Sequence, residues 1–522
     1  MSQEFLTMNY KNVKEEPRNM FSSGPNRWLV LLAIMVAFLP IVLDMTILHV
    51  AVPSLTMALE ASGSEILWII DIYPLMMASL LIPMGTLADK IGHRRLLLLG
   101  LSIFLVGSAL AAFSPTAAAL IGARAFMAIG AAMAMPCTLA IIRQTFEDER
   151  ERAIAIGSWG AVASAGAAVG PLVGGFLLEY FWWGSVFLVN VPLILVVIPL
   201  VVILVPRRAI VGKGDWRVGQ ALVLMGGIMA TVYAIKSGFK PEVSVVLTSM
   251  TLLVGVSMLA WFTLKQLNST HPMLDMSLFS RPAITAGVVM ALVVGGSLAG
   301  VELMLAQELQ FVLGYTPLQA GMFMLPLMLG ALIGGPFAGF VLGLVGLRTV
   351  ASLSLLIAAV SLTGLAYSSF HEPSVGVIAL LTVLGLSLGI GLTASSVAIM
   401  SSTPVEKAGA GGALEATSYD LGTGLGITLF GLLLTAIYGK AIRIPENMPD
   451  EVSAAAIRSI GEAMMAARSL DGDRETALLN AAREAFSVSH SVVLLSAAVL
   501  IGLMGVCVVF LLKNYRKLGD ER

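Results

Sequence analysis

The stretch Trp28-Leu-Val-Leu-Leu-Ala-Ile-Met-Val-Ala-Phe-Leu-Pro40-Ile-Val-Leu-Asp44-Met-Thr46-Ile-Leu-His49-Val-Ala-Val-Pro53 decides the fold. It is long enough to cross a bilayer, which takes about 20 apolar residues rising ~1.5 Å each. Asp44 lies well inside it. A carboxylate at mid-bilayer costs ~2.5–3.5 kcal/mol on the insertion scale, so an acid at that depth marks a functional position. Comparable apolar stretches recur, and fourteen spans are predicted, from 28–52 at the start to 488–512 at the end.

Composition agrees. The 522 residues are 57% hydrophobic and 12% charged, against about 25% charged in soluble domains, which excludes an ordinary soluble enzyme. A net charge of -1 gives no electrostatic footprint for nucleic acid. Cys137 and Cys507 both fall in apolar runs, and the five histidines are scattered, so neither a disulfide framework nor a metal or nucleophile cluster is indicated. No G-x-x-x-x-G-K-[ST] loop is present. The expectation is a transporter without cofactor, driven by the proton-motive force. Membrane-embedded enzymes and receptors are the alternative class.

The predicted architecture is all-α: a cytoplasmic tail 1–27, a six-helix half 28–206, two inserted spans within 207–282, a second six-helix half 283–512 and a tail 513–522. Within the second half, 439–487 reads as an external helical hairpin, with helical patterns Glu451–Leu470 and Arg474–Phe486 joined by Asp471-Gly472-Asp473. Basic residues set the orientation. With the amino terminus inside, 22 of the 31 lie in inner segments and 8, Lys236 among them, in outer ones, with Arg124 in a span. Both termini are therefore expected in the cytoplasm, on the inner membrane. A repeat supports the two halves: Gly85, Gly92 and Arg94 recur as Gly339, Gly346 and Arg348, 254 residues apart.

Further acids lie in the spans: Asp71, Glu302 and Asp420, with Glu415 one turn before Tyr419. Unless Arg124 pairs with one of them, they outnumber buried bases, and surplus negative charge in a cavity favours cations. Burial favours a neutral carboxyl, and a bound organic cation favours the ionised one, so a proton and a cation oppose each other at one site. Trp68, Tyr73, Trp159 and Tyr419 are candidates to face that cavity, where a desolvated cation over a ring gains ~2 kcal/mol. Gly166, Gly170, Gly174 and Gly175 put small residues on one helix face around Pro171, allowing close approach of another helix. Asp89 with Arg94 or Arg95 reads as a charge latch in an inner loop.

Several of these segments resemble a known family. Leu43-Asp44-Met-Thr46 with Ala51-Val-Pro53 looks like the first-helix signature of the fourteen-span drug:proton antiporters of the major facilitator superfamily. Gly85-Thr-Leu-Ala-Asp89-Lys90-Ile-Gly92-His93-Arg94-Arg95 resembles the superfamily loop motif, with His93 where the family has Arg. Gly166-x-x-x-Gly170-Pro171-x-x-Gly174-Gly175 resembles the antiporter motif. Arg124-Ala-Phe-Met127-Ala128 stands where the family carries R-x-x-Q-G. His271 to Phe279 and Leu313 to Gly321 resemble landmarks flanking span 9. Within the family the chain is similar to the QacA/SmvA type, which exports cationic antiseptics and dyes. The resemblance implies a monomeric exporter that exchanges small hydrophobic mono- and dications (quaternary ammonium compounds, biguanides, dyes, viologens) for protons across membrane lipid. A lipid or lysolipid flippase on the same scaffold is the rival.

Overall fold

The computed structural model describes residues 26–207, 217–238, 244–269, 272–370, 374–404 and 407–513. The terminal tails fall outside them, apart from Asn26, Arg27 and Lys513. Among the described residues every regular element is helical. The order begins α1 (Arg27–Leu59), α2 (Gly63–Ile91), α3 (His93–Ala112), α4 (Ala117–Thr145), α5 (Glu149–Tyr180), α6 (Ser185–Leu188) and α7 (Asn190–Leu204). Next come α8 (Val218–Gly238) and α9 (Val245–Leu267). The chain then forms α10 (Pro282–Gln307), α11 (Pro317–Val345), α12 (Leu347–Ala366), α13 (Val375–Ser402) and α14 (Ala408–Ala441). It closes with α15 (Asp450–Arg458), α16 (Ile460–Ala467) and α17 (Gly472–Leu511). Among the described residues, 14 spans are long and apolar enough to cross a membrane, α6 with α7 forming one of them. α10 runs into a π-turn at Glu308–Val312.

Hydropathy makes the helices, and local residues end them. Ser62 and Glu65 form a capping box that starts α2, and Thr316 and Gln319, with Pro317 in the first turn, start α11. The internal repeat has a structural basis. Gly92 (φ 94°) and Gly346 (φ 81°) hold a backbone conformation that a side chain resists, so one helix ends and the next begins at a single residue. Two residues on, Arg94 donates to the Val202 carbonyl at 2.6 Å, and Arg348 donates to Val509 at 2.9 Å. In each group the repeated arginine thus ties the second helix pair to the end of the last span.

Helices α1–α7 pack among themselves, as do α10–α14 with α17, while α8 and α9 pair with each other and lean on α2. The hairpin expected at 439–487 takes a different form. Its first arm breaks at Ser459 into α15 and α16, and its second arm is no separate helix but the amino end of α17, a continuous 40-residue helix. Leu478, Ala482, Ala485 and Phe486 are buried at helical spacing, so the same apolar stripe carries from outside the bilayer into the span.

The two groups meet closely toward the hairpin face. On the face bearing the hairpin, a Cβ built on Gly175 would stand 2.7 Å from the Pro317 carbonyl oxygen, and one on Gly321 2.6 Å from that of Pro171. At the other ends of α5 and α11, Gly157, Gly160, Gly339 and Gly343 have nothing within 4 Å of that position. Between α5 and α11 the bundle is therefore shut on the hairpin face and parted on the opposite, terminal face, where Arg27 and Lys513 lie. On that terminal face Lys407 reaches Asp275 at 2.5 Å, and its hydrogen bond holds the Asp275 carboxyl below the usual carboxylate range. Arg281 also donates there to the Ser402 carbonyl.

Candidate functional site

Asp44, halfway along α1, is fully buried. It does not supply unpaired charge. Arg124 of α4 meets its Oδ2 at 3.0 Å, and Asn190, at the start of α7, donates to its Oδ1 at 3.5 Å. The Arg124 guanidinium lies over the Tyr73 ring at 5.0 Å and the Phe187 ring at 5.8 Å. Five elements, α1, α2, α4, α6 and α7, thus converge on one ion pair, and Tyr73 serves as the aromatic wall of a protein cation.

Asp71 sits two turns into α2 from the hairpin face and is also buried and paired. Its Oδ2 accepts from Thr428 of α14 at 2.5 Å and lies 2.6 Å from Lys236 of α8. Lys236 was expected in an outer loop. It is instead 3% exposed, with its ammonium 3.9 Å above the Trp68 ring. The expected surplus of acids is accordingly smaller: of the four, Asp44 and Asp71 are matched by an arginine and a lysine, and Glu302 by a histidine.

Glu302 of α10 is matched by His49 of α1, Nδ1 to Oε2 2.8 Å, a buried contact between the two groups of helices. Nearby, Gln310 donates to the Val50 carbonyl at 2.9 Å. A turn and a half beyond Glu302, Glu308 accepts from Ser487 at 2.7 Å and stands 3.4 Å from His490 of α17, whose ring stacks on Phe370.

Asp420 of α14 differs from the rest. It is 2% exposed, its Oδ2 has no hydrogen-bond partner, and among the described residues no base pairs with it. Tyr73 lies within electrostatic reach of both Asp44 and Asp420, and Tyr419 of both Glu302 and Asp420. The buried acids of the two groups therefore form one neighbourhood. Glu415, one turn toward the terminal face, is half-buried and bonds Ser396 of α13. Trp159 is largely committed to packing: its ring stacks on Phe38 at 4.6 Å and its N–H donates to Thr138. His49, Asn190, Lys236, Thr428 and Glu308 went unmarked in the sequence. The only signal for them was a polar residue within or beside an apolar run.

The four glycines of α5 do not share one face. Gly166, Gly170 and Gly174 meet Val42, Thr46 and Ile47 of α1, on both sides of Asp44, whereas Gly175 faces α11 in the opposite group. A Cβ on Gly170 would stand 2.0 Å from Thr46 Oγ1 and 3.2 Å from the Ile47 backbone nitrogen. Gly170→Val is therefore expected to destabilise the protein by ~1–3 kcal/mol through overpacking. Thermal melting of the purified variant checks this against Gly157→Val, which enters open space.

Asp89, expected in a loop, lies in the last turn of α2; it is 65% exposed, and its partner is His93, Nε2 at 3.6 Å, with Arg94 engaged at Val202. Among the described residues neither Arg94 nor Arg95, the expected partners, forms an ion pair with Asp89 in this conformation. Among the described residues no group of three His, Cys, Asp or Glu is arranged to hold a metal.

Comparison with known proteins gives the scaffold its family. Residues 34–427 match the model of the Major Facilitator Superfamily. Methyl viologen resistance protein SmvA of Salmonella typhimurium strain LT2 is 47% identical over 480 residues, covering 92% of this chain and 97% of that protein. Multidrug efflux pump LfrA of Mycolicibacterium smegmatis is 35% identical over 482 residues, covering 91% and 95%. Among solved structures, a bacterial homologue of the human lysosomal transporter Spinster, inward-facing and unoccupied, superposes with a TM-score of 0.67 over 94% of this chain and 99% of that one. At 19% identity it shares the fold alone. With fourteen apolar helices and relatives of this kind, the chain is a multi-pass membrane transporter, not an enzyme, and it belongs to the Major Facilitator Superfamily.

Proposed function

We propose that this transporter exports hydrophobic mono- and dications, quaternary ammonium compounds and viologens among them, in exchange for protons. Export of drugs is supported by the likeness to a methyl viologen resistance protein and a multidrug efflux pump. The observation that carries the exchange is Asp420, buried between the groups with no base beside it among the described residues. A carboxylate out of water and without a base is neutralised either by a proton or by a bound cation, and the two exclude each other. That exclusion is antiport. The proton gradient supplies the energy.

The basic-residue bias puts the terminal face in the cytoplasm of a bacterial inner membrane, so the conformation parted on that face is open to the cell interior. A cation enters from within, meets Asp420, and displaces its proton. The decisive experiment adds a hydrophobic cation to purified protein in weak buffer and records proton release. Release by the wild type and none by Asp420→Asn is expected; equal release by both overturns the reading.

The loop near Asp89 sets the pace of switching and lies away from the buried acids. Asp89→Asn is expected to slow export several-fold while leaving the equilibrium affinity for a fluorescent cation unchanged. Fluorescence titration beside dye efflux checks the split, and a large loss of affinity would place the loop in the binding site.

A further inference from the structure

We infer that Lys236 is a tethered cation seated in a binding site for quaternary ammonium groups, built by Asp71 and Trp68, and that a substrate cation takes the site by displacing it. The inference rests on the reading of the chain as a cation exporter. It also gives the inserted helices α8 and α9 a role, which the two packed groups alone do not require.

The site has the two components that bind an organic cation out of water. Asp71 supplies a buried carboxylate, and Trp68 supplies a ring face 3.9 Å from the ammonium now present. Thr428 fixes Asp71 Oδ2 from the opposite group of helices, and Asp71 Oδ1 is buried without a hydrogen-bond partner, so the carboxylate has an acceptor in reserve. Apolar walls come from Leu75, Ile228 and Val232, with Leu421 and Leu425 beside them.

What fills the site is removable. Lys236 is two residues from the end of α8, on the hairpin face. Its flexible four-carbon stem lets a displaced ammonium swing into the water at that face while the methylenes stay in the apolar layer. Arg124 has no such exit: two turns into α4 and 1% exposed, it is held between Asp44, Tyr73 and Phe187. Two buried ion pairs of like appearance thus have different uses. One is fixed within the amino-terminal group, and the other stands at a three-way junction of α2, α8 and α14 with a way out for the base.

The alternative is that Lys236–Asp71 only fastens α8 to its neighbours. Then Lys236→Met lowers stability, and no cation compensates. If Lys236 is a tethered ligand, Lys236→Met leaves an empty cation site.

The test measures binding of benzyltrimethylammonium to full-length purified protein by calorimetry, together with its effect on thermal melting. Lys236→Met is expected to bind it about tenfold more tightly than the wild type, a difference of about 1.4 kcal/mol, and to gain more thermal stability from it. Both gains vanish in D71N/K236M. Affinity no higher than wild type, or a gain that persists without Asp71, overturns the inference.

A second measurement uses the wild type and so does not depend on the variant folding. Acylation of Lys236 by a water-soluble amine reagent, read by peptide mass spectrometry, is expected to rise several-fold when benzyltrimethylammonium is present. Unchanged labelling overturns the inference as well. Proton-coupled efflux by wild-type proteoliposomes is scored separately: its absence sinks the export reading, whereas a missing gain in Lys236→Met with efflux intact sinks the tethered cation alone.

Discussion

Asp44→Asn abolishes export, by about 100-fold or more, in a protein that still folds and inserts. The carboxylate does two things at the centre of α1. It neutralises Arg124 at 3.0 Å and it orients Asn190, which also contacts Ser108 at 3.4 Å. Losing one partner of a buried pair leaves an uncompensated charge and costs ~3–5 kcal/mol. The variant is therefore expected to melt at a lower temperature while remaining a membrane-inserted bundle, since the apolar spans themselves are unchanged. D44N/R124Q separates the two contributions. Removing both charges recovers much of the stability, because neither is left alone. It does not recover export, because the buried carboxyl beside Tyr73 is gone. Dye efflux from cells with matched expression, alongside melting of the three proteins, decides the matter. Wild-type efflux by a normally expressed Asp44→Asn protein would remove Asp44 from the mechanism.

The second large effect concerns substrate charge. Moving one positive charge outward against an inside-negative potential costs ~2.3 kcal/mol per 100 mV. One entering proton returns the same amount, so one-for-one exchange of a monocation draws only on the pH gradient, ~1.36 kcal/mol per unit. A dication needs two protons merely to balance charge. Asp71 lies nearer the hairpin face than Asp44 and is fixed by Thr428 from the other group of helices, so it is placed to load a proton separately from Asp420. Asp71→Asn is expected to reduce export of a viologen about tenfold and export of a matched monocation much less. Lys236 complicates the single variant, because it loses its partner. D71N/K236M, in which no buried ammonium is stranded, is the control and keeps the same preference. Efflux is measured in proteoliposomes with a pH gradient alone and then with a potential added. Equal loss for both substrates under both conditions makes Asp71 a general or structural residue.

Partner identity was the least legible feature in the sequence. Asp44 pairs with a residue 80 positions away, and Asp71 is bonded by one 357 positions away. Arg124 carried a visible anomaly, a charge inside a span, and was a natural candidate to match an acid. Lys236 carried none: near the end of an apolar run, it reads as an ordinary interfacial lysine until α8 is docked against α2. His49 and Glu302 lie 253 residues apart on helices of different groups, and no local pattern links them. The α5 glycines show the same limit at smaller scale. Their spacing promised close helix contact, but the choice of neighbour splits them, three toward α1 and one toward α11, since adjacent residues on a helix point about 100° apart.

The sequence by itself determined the spans, the repeat and the depth of the acids. Each is a local property, hydropathy over about 20 residues or a glycine where the chain must turn, and local properties survive any arrangement of the helices. Only the tertiary structure decided which acids are matched by bases and which one, Asp420, is not. It also decided that the bundle is shut on the hairpin face. A buried charge is settled by what lies within about 3 Å of it, and that depends on which helices meet and at which turn.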